Sequence, residues 1–301
     1  MRRKKESRKP IVLGFTITVA ILLSLFFGVI FFRPGIPVKS LPTTIPQYSA
    51  VWGRYVPADT QLFGFENYTA IRQYNSSYPT QYRTLLNIVD LKLTLKPAAI
   101  DSVMTVSFSS PNESIAFAFV NQAAFSNFTN AFARVNNTAT QVGADSMYYV
   151  RDGENGQILF GWLAIIPADR GVAFAEGNTA AKAALMECLL VNPSNSLISR
   201  LDVRQMLYVA NGTGHLALGI QRFPGVLPLA NETLTVVDDS GSQVIIGRVL
   251  EFGSSSVAQD QYANVKEGYL KARLITVYDS YVLATEFEAQ SDLSGAVRLV
   301  E

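Results

Sequence analysis

Residues 11 to 32 read IVLGFTITVAILLSLFFGVIFF, a run without a single charge, and Arg2, Arg3, Lys4, Lys5, Arg8 and Lys9 stand directly before it. A helix over this run would measure ~33 Å at ~1.5 Å per residue, enough to cross a hydrocarbon core of ~30 Å. The hydroxyls of Thr16, Thr18 and Ser24 can bond back to helix carbonyls. A cleaved leader normally has ~7–15 apolar residues and ends in small ones. Here the run is longer and continues into Phe31-Phe32-Arg33-Pro34-Gly35, so an uncleaved transmembrane signal anchor is expected.

The flanking charges orient it. The basic tail, residues 1–10, carries six Lys/Arg and one Glu, whereas only Arg33 and Lys39 follow the run closely. The positive-inside rule then keeps the N-terminus in the cytoplasm and sends residues 33–301 out, a single-pass protein of the cell membrane. The tail is suited to anionic lipid headgroups, and no nucleic-acid partner is expected. Ala20, Ser24 and Gly28, four apart on one helix face, would let a second helix approach closely.

Composition supports an outward-facing body. From residue 41 onward 17 Lys/Arg stand against 23 Asp/Glu, so this part is mildly acidic although the whole chain is +1. The triplet Asn-x-Ser/Thr begins at Asn67, Asn75, Asn112, Asn127, Asn136, Asn211 and Asn231, where chance composition gives about two. These are glycan acceptor candidates, although Asn-rich turns beside Thr-rich strands would also raise the count. Cys188 is the one cysteine, so an intrachain disulfide is excluded and a body this size must rely on its core. Glycan acceptors without disulfides fit an archaeal surface protein, and 16% charged residues would suit an acidic exterior.

Residues 33–48 contain Pro34, Pro37, Pro42 and Pro46, which favours an extended stalk. Beyond it the chain resembles itself. The segment from Asp101 aligns without a gap on the segment from Asn231, bringing Thr105-Val106 onto Thr235-Val236 and Ile115 onto Ile245. Each segment reads as strand, polar turn, strand. A helix follows in both, with Phe125, Phe128, Phe132 and Val135 in one and Ala258, Tyr262, Val265 and Tyr269 in the other. Asn121 and Ser254-Ser255-Ser256 signal the helix starts. Two more strands and an apolar helix close each copy.

The expected fold is therefore α+β: the N-terminal transmembrane helix, then two tandem related units of mainly antiparallel sheet with helices on one face. The units are residues 49–190, with an insertion at 68–97, and 211–301. Residues 191–210 connect them, helical over 197–208.

Chemical motifs are sparse. Cys188 and His215 are the lone members of their types, and H-E-x-x-H, C-x-x-C, G-x-S-x-G, Ser-x-x-Lys and G-K-S/T are all missing. Asp152, Glu154 and Asn155 could hold calcium, but Gly153 and Gly156 mark an ordinary hairpin turn. Asp238-Asp239 sit in a turn, while Glu286 and Glu288 alternate on a strand and should face solvent together. No catalytic residue, metal ligand or cofactor is assigned. Aromatics crowd the region after the stalk, and Tyr55, Tyr68, Tyr74, Tyr78 and Tyr82 form a candidate interaction surface. Two functions remain open. One is a non-enzymatic envelope component or accessory subunit, touching membrane lipid and a protein partner or its own copy. The other is a ligand-binding module with a cleft between the two units.

Overall fold

The computed structural model describes residues 36–45, 52–74, 86–88, 93–108, 113–134, 139–154, 157–211, 214–222 and 230–297. The chain divides into two units, Met1–Pro37 and Val38–Glu301, and the second is the folded body. Among the described residues no helix is long and apolar enough to cross a membrane. The expected span 11–32, with Ala20, Ser24 and Gly28, lies outside those residues, as do Asn75, Asn112, Asn136, Tyr78 and Tyr82.

The body is α+β. Its strands are β1 (Val38–Lys39), β2 (Leu62–Glu66), β3 (Leu86–Ile88), β4 (Leu93–Leu95) and β5 (Ile100–Ser107), then β6 (Ser114–Val120), β7 (Thr140–Val142), β8 (Asp145–Glu154), β9 (Gln157–Ile166) and β10 (Gly171–Glu176). The rest are β11 (Ala217–Arg222), β12 (Ala230–Asp239), β13 (Gln243–Phe252), β14 (Leu274–Tyr278) and β15 (Tyr281–Ala289). The helices are α1 (Tyr68–Tyr74), α2 (Gln122–Ala133), α3 (Thr179–Leu189), α4 (Leu201–Ala210), α5 (Ser255–Gly268) and α6 (Leu293–Val297).

All the described strands join one sheet in the order β1-β14-β15-β13-β12-β11-β2-β5-β6-β10-β9-β8-β3-β4, with β7 beside β8. Read outward from the middle, β2-β5-β6-β10-β9 and β11-β12-β13-β15-β14 have the same connectivity. At the centre β2 pairs antiparallel with β11, Gly64 opposite Gly219. Thr105 then lies opposite Gly64 and Thr235 opposite Gly219, the equivalence read from the sequence. Past the turn the gapless match slips. Ala116 faces Thr105 while Arg248 faces Thr235, so the second hairpin connection is two residues longer. A slip of two keeps every side chain on its face, which is why the hydrophobic pattern hid it.

Helices cover both faces of the sheet, which corrects the expectation of one. On one face α3 and α4 pack over Phe63, Met104, Phe117, Ile166, Leu218 and Leu234 through Leu185, Cys188, Met206 and Leu207. On the other, α1, α2 and α6 cover Ile100, Val120, Leu163, Val237 and Ile246. The burial of β13 shows the need: it is covered on both sides along Val244, Ile246, Gly247, Arg248, Val249 and Leu250, and a two-sided strand needs two layers of cover. Local signals set the helix starts. Asn121 accepts from the Ala124 N–H at 3.0 Å, and the Ser254 hydroxyl accepts from the Val257 N–H at 3.3 Å. In the connecting segment, α4 ends where Asn211 turns left-handed at φ 49°.

The expected insertion adds a helix and an edge hairpin. Within 68–97, α1 packs on β5, and the β3–β4 hairpin extends the sheet beyond β8. The stalk also differs from expectation. Val38 and Lys39 pair in parallel with Val277 and Tyr278 of β14, so this part of the proline-rich segment belongs to the body.

Candidate binding groove

Strand alternation brings Thr233 and Thr235 of β12, Ile246 and Arg248 of β13, and Glu286 and Glu288 of β15 to one side of the sheet. There they floor a groove of ≈ 860 Å³. Gln221 of β11 closes one side, the turn Gly268–Lys271 after α5 overhangs another, and Asp292 and Ala296 complete the wall.

Its central feature is charged. Arg248 and Glu286 are diagonal neighbours, since Arg248 faces Ala284 and Glu286 faces Ile246. The Arg248 guanidinium donates to Glu286 Oε1, and both side chains are almost wholly buried. The same guanidinium lies 5.2 Å from the Tyr269 ring centroid, a cation–π contact. Burial, opposed by Arg248 and reinforced by Glu286, pushes the Tyr269 phenol above its ordinary range, so it stays a neutral donor and acceptor. Lys271 pairs with Glu288 at 3.0 Å near the rim. Thr233 Oγ1 is buried without a hydrogen-bond partner, which is costly for a hydroxyl.

Glu286 and Glu288 do point the same way, but Glu286 is enclosed rather than facing solvent. The reason is the arginine on the adjacent strand, which the sequence leaves thirty-eight positions distant. Arg248 within VIIGRVL was the available signal: a charge inside an apolar strand needs a buried partner. Thr233, Thr235 and Tyr269 gave no such signal, because hydroxyl-bearing residues suit exposed and buried strands equally.

A second pocket, ≈ 530 Å³, lies at one end of the β2–β11 seam, lined among others by Trp52, Asn67, Asp101, Asp169, Arg170 and His215. Asp169 accepts from the Tyr55 hydroxyl at 2.5 Å and from Arg54 Nη1 at 2.9 Å. Asp238 Oδ1 accepts from the His215 backbone N–H at 2.6 Å. Along the seam itself the two halves share a ladder of five paired positions, and the pocket at its end takes residues from both halves, whereas the ≈ 860 Å³ groove lies within the second half. Among the described residues no group of three His, Cys, Asp or Glu converges to hold a metal. Cys188 is fully buried in α3, and burial pushes its thiol well up.

The tyrosine surface is corrected in part. Tyr55 and Tyr68 are inside, 6% and 1% exposed, and Tyr74 is half-buried with its hydroxyl on Asp239. Tyr55 packs 5.7 Å from Phe117 and 6.0 Å from Phe119, its hydroxyl satisfied by Asp169. A tyrosine whose oxygen finds a partner can enter a core, and composition does not reveal which ones do. Among the acceptor candidates, Asn127, Asn211 and Asn231 are exposed and Asn67 is half-buried, its side chain accepting from the Ala70 N–H at 3.1 Å as a helix cap.

Several carboxyls titrate high. Burial lifts Asp145, helped by Asp169, and likewise Glu187, helped by Asp59, and Glu251. An acid held above its ordinary pKa by folding binds its proton more tightly in the folded state. Stability then rises as pH falls through the folded value and levels off below the unfolded one. Asp202 and Asp239 are held low, so their stabilisation is lost only below the ordinary carboxyl range. The urea midpoint is therefore expected to be higher at about pH 5 than at pH 7, turning down below about pH 4. A midpoint that falls steadily from pH 7 to 5 would contradict this.

No family model matches the chain, and no curated protein matches it. Solved structures of TP0453 do align. Crystal form I does so at 11% identity and TM-score 0.45, over 85% of this chain and 100% of the other. Form III gives 11% identity and TM-score 0.48, over 83% and 98%. Form IV gives 12% identity and TM-score 0.44, over 84% and 97%.

Proposed function

We propose that the chain is a single-pass membrane protein whose body, residues 38–301, stands outside the cytoplasm and acts by contact rather than by catalysis. The carrying observation is the uncharged run 11–32 with six Lys/Arg on its N-terminal side. The acceptor triplets and the single cysteine agree with that address, and the exposure of Asn127, Asn211 and Asn231 supports their use. The role is that of an envelope component or accessory subunit binding a protein partner or a second copy. The two halves are read as products of one duplicated unit, for which their common strand order and the Thr105–Thr235 equivalence speak.

The decisive experiment is topology. Protease added to intact cells should degrade the body while carbonate washing leaves the chain in the membrane pellet. Release by carbonate, or a body shielded from protease, refutes the reading. Each of Asn127→Gln, Asn211→Gln and Asn231→Gln is expected to increase gel mobility by one glycan step in the native host. Unchanged mobility in all three variants means that these sites are unused. Detergent extraction with cross-linking should then capture a partner or a homo-oligomer.

A second reading, a ligand-binding body, is favoured by one observation: the unpartnered Thr233 hydroxyl among the polar side chains flooring the groove. A neutral ligand bearing a hydrogen-bond donor or acceptor would suit it, because the groove's charges already pair internally.

A further inference from the structure

A lipid-facing surface follows from how the chain enters the sheet, and it rests on the anchor proposed above. β1 is the outermost strand at its edge and pairs with β14 in parallel. Two bonds fasten it further: the Asp279 N–H donates to the Lys39 carbonyl at 3.1 Å, and the Leu41 N–H donates to Asp279 Oδ2 at 2.9 Å. Parallel pairing fixes direction, so the chain before Val38 arrives from the Leu274 end of β14. Only residues 33–37 separate the apolar run from β1. Five extended residues reach at most ~18 Å, so an anchor ending at Phe32 would be joined to β1 by a short tether.

The surface at this end combines exposed leucines with basic residues. Leu270, in the turn between α5 and β14, is 87% exposed, and Leu274, the first residue of β14, is 53% exposed. Exposed Lys266, Lys271 and Arg273 accompany them, opposed within 266–274 by Glu267 alone. Lys271 pairs with Glu288 yet remains 76% exposed. A basic strip bearing bare leucines thus sits on a body that is acidic overall. Exposed leucines favour the apolar side of an interface, and Lys or Arg beside them favour anionic headgroups.

We propose that the segment Lys266–Leu274 is a bilayer-contacting surface, with Leu270 and Leu274 entering the headgroup region and Lys266, Lys271 and Arg273 meeting lipid phosphates. The contact fixes the body's β14 edge against the membrane and leaves the β3–β4 end of the sheet directed at other partners.

The full chain, reconstituted in vesicles of phosphatidylcholine and phosphatidylglycerol with brominated acyl chains, tests this. Leu270→Trp and Leu274→Trp are compared with Tyr149→Trp on β8, far along the sheet, and the unsubstituted chain supplies the background of Trp52 and Trp162. The added indoles at 270 and 274 should lose emission by about two-fold or more against unbrominated vesicles, given insertion of ~5–10 Å, and the one at 149 should not. Carbonate washing of the same vesicles reads the anchor separately. A carbonate-resistant chain with 270 and 274 unquenched overturns the lipid contact while the anchor stands, and marks the strip as free for a protein. Equal quenching at all three positions overturns it as well. A chain stripped by carbonate overturns both the anchor and this surface.

Discussion

Replacing Arg200 by Met is expected to destabilise the body by about 3–5 kcal/mol, because it leaves Glu232 buried without its main counter-charge. Glu232 is 3% exposed. It accepts from Arg200 Nη2 at 2.6 Å and Nη1 at 3.2 Å, while Arg222 stands at 3.5 Å. Arg200 also binds Asp202 and the Ala58 carbonyl, and Arg222 donates to the same carbonyl at 3.0 Å. The cluster therefore joins the loop before β2, the start of α4 and the β11–β12 hairpin. Burial already holds Glu232 above the usual carboxyl range against the pull of Arg200. Removing that pull raises it further, so the protonated form becomes the tolerated one. The penalty should consequently shrink as pH is lowered from 7 to 5. The double variant Arg200→Met, Glu232→Leu should recover most of the loss, since an apolar pair of similar volume replaces a buried ion pair at little cost. Urea denaturation of the detergent-solubilised chain measures all of this. A single variant within about 1 kcal/mol of the parent would show that Arg222 alone suffices.

Gly161→Ala is expected to cost about 3 kcal/mol, near the upper end for overpacking. Gly161 lies in β9 between Val150 of β8 and Glu176 of β10. A methyl there would sit 2.4 Å from the Ala175 carbonyl oxygen and 2.6 Å from the Phe174 ring. The ring can swing, but the carbonyl belongs to a central strand and moves only with its ladder. The gain of ~0.4–1 kcal/mol from stiffening the unfolded chain offsets little of this. Gly268→Ala is the control: nothing lies within 4 Å of its added carbon, so its denaturation midpoint should equal or slightly exceed the parent's. Equal midpoints for the two variants would mean that β9 and β10 separate easily.

Much of the body was legible because its signals are local. Alternation marked the β5–β6 and β12–β13 hairpins, a cap residue marked each following helix, and spacing of three and four marked Phe125, Phe128 and Phe132. The gapless hairpin match placed β6 against β13 two residues out of register, an error to which a period of two is blind. Burial of Tyr55 and Tyr68 was illegible, because a phenol's place depends on whether Asp169 or another partner meets its oxygen in space. The groove was illegible for the same reason: Arg248 and Glu286 come together only through a diagonal across β13 and β15.

The sequence by itself determined the parts: an uncharged run with a basic foot, a body with a single cysteine, and strands and helices in a fixed order. Those follow from transfer free energy and backbone periodicity, which act over a few residues. Tertiary structure alone decided that both halves join in one sheet, that helices cover both its faces, that the proline-rich segment adds an edge strand, and that two buried charges floor a groove. Each of these depends on which distant strands exchange hydrogen bonds. That choice is made by packing the whole core at once, and no window of sequence contains it.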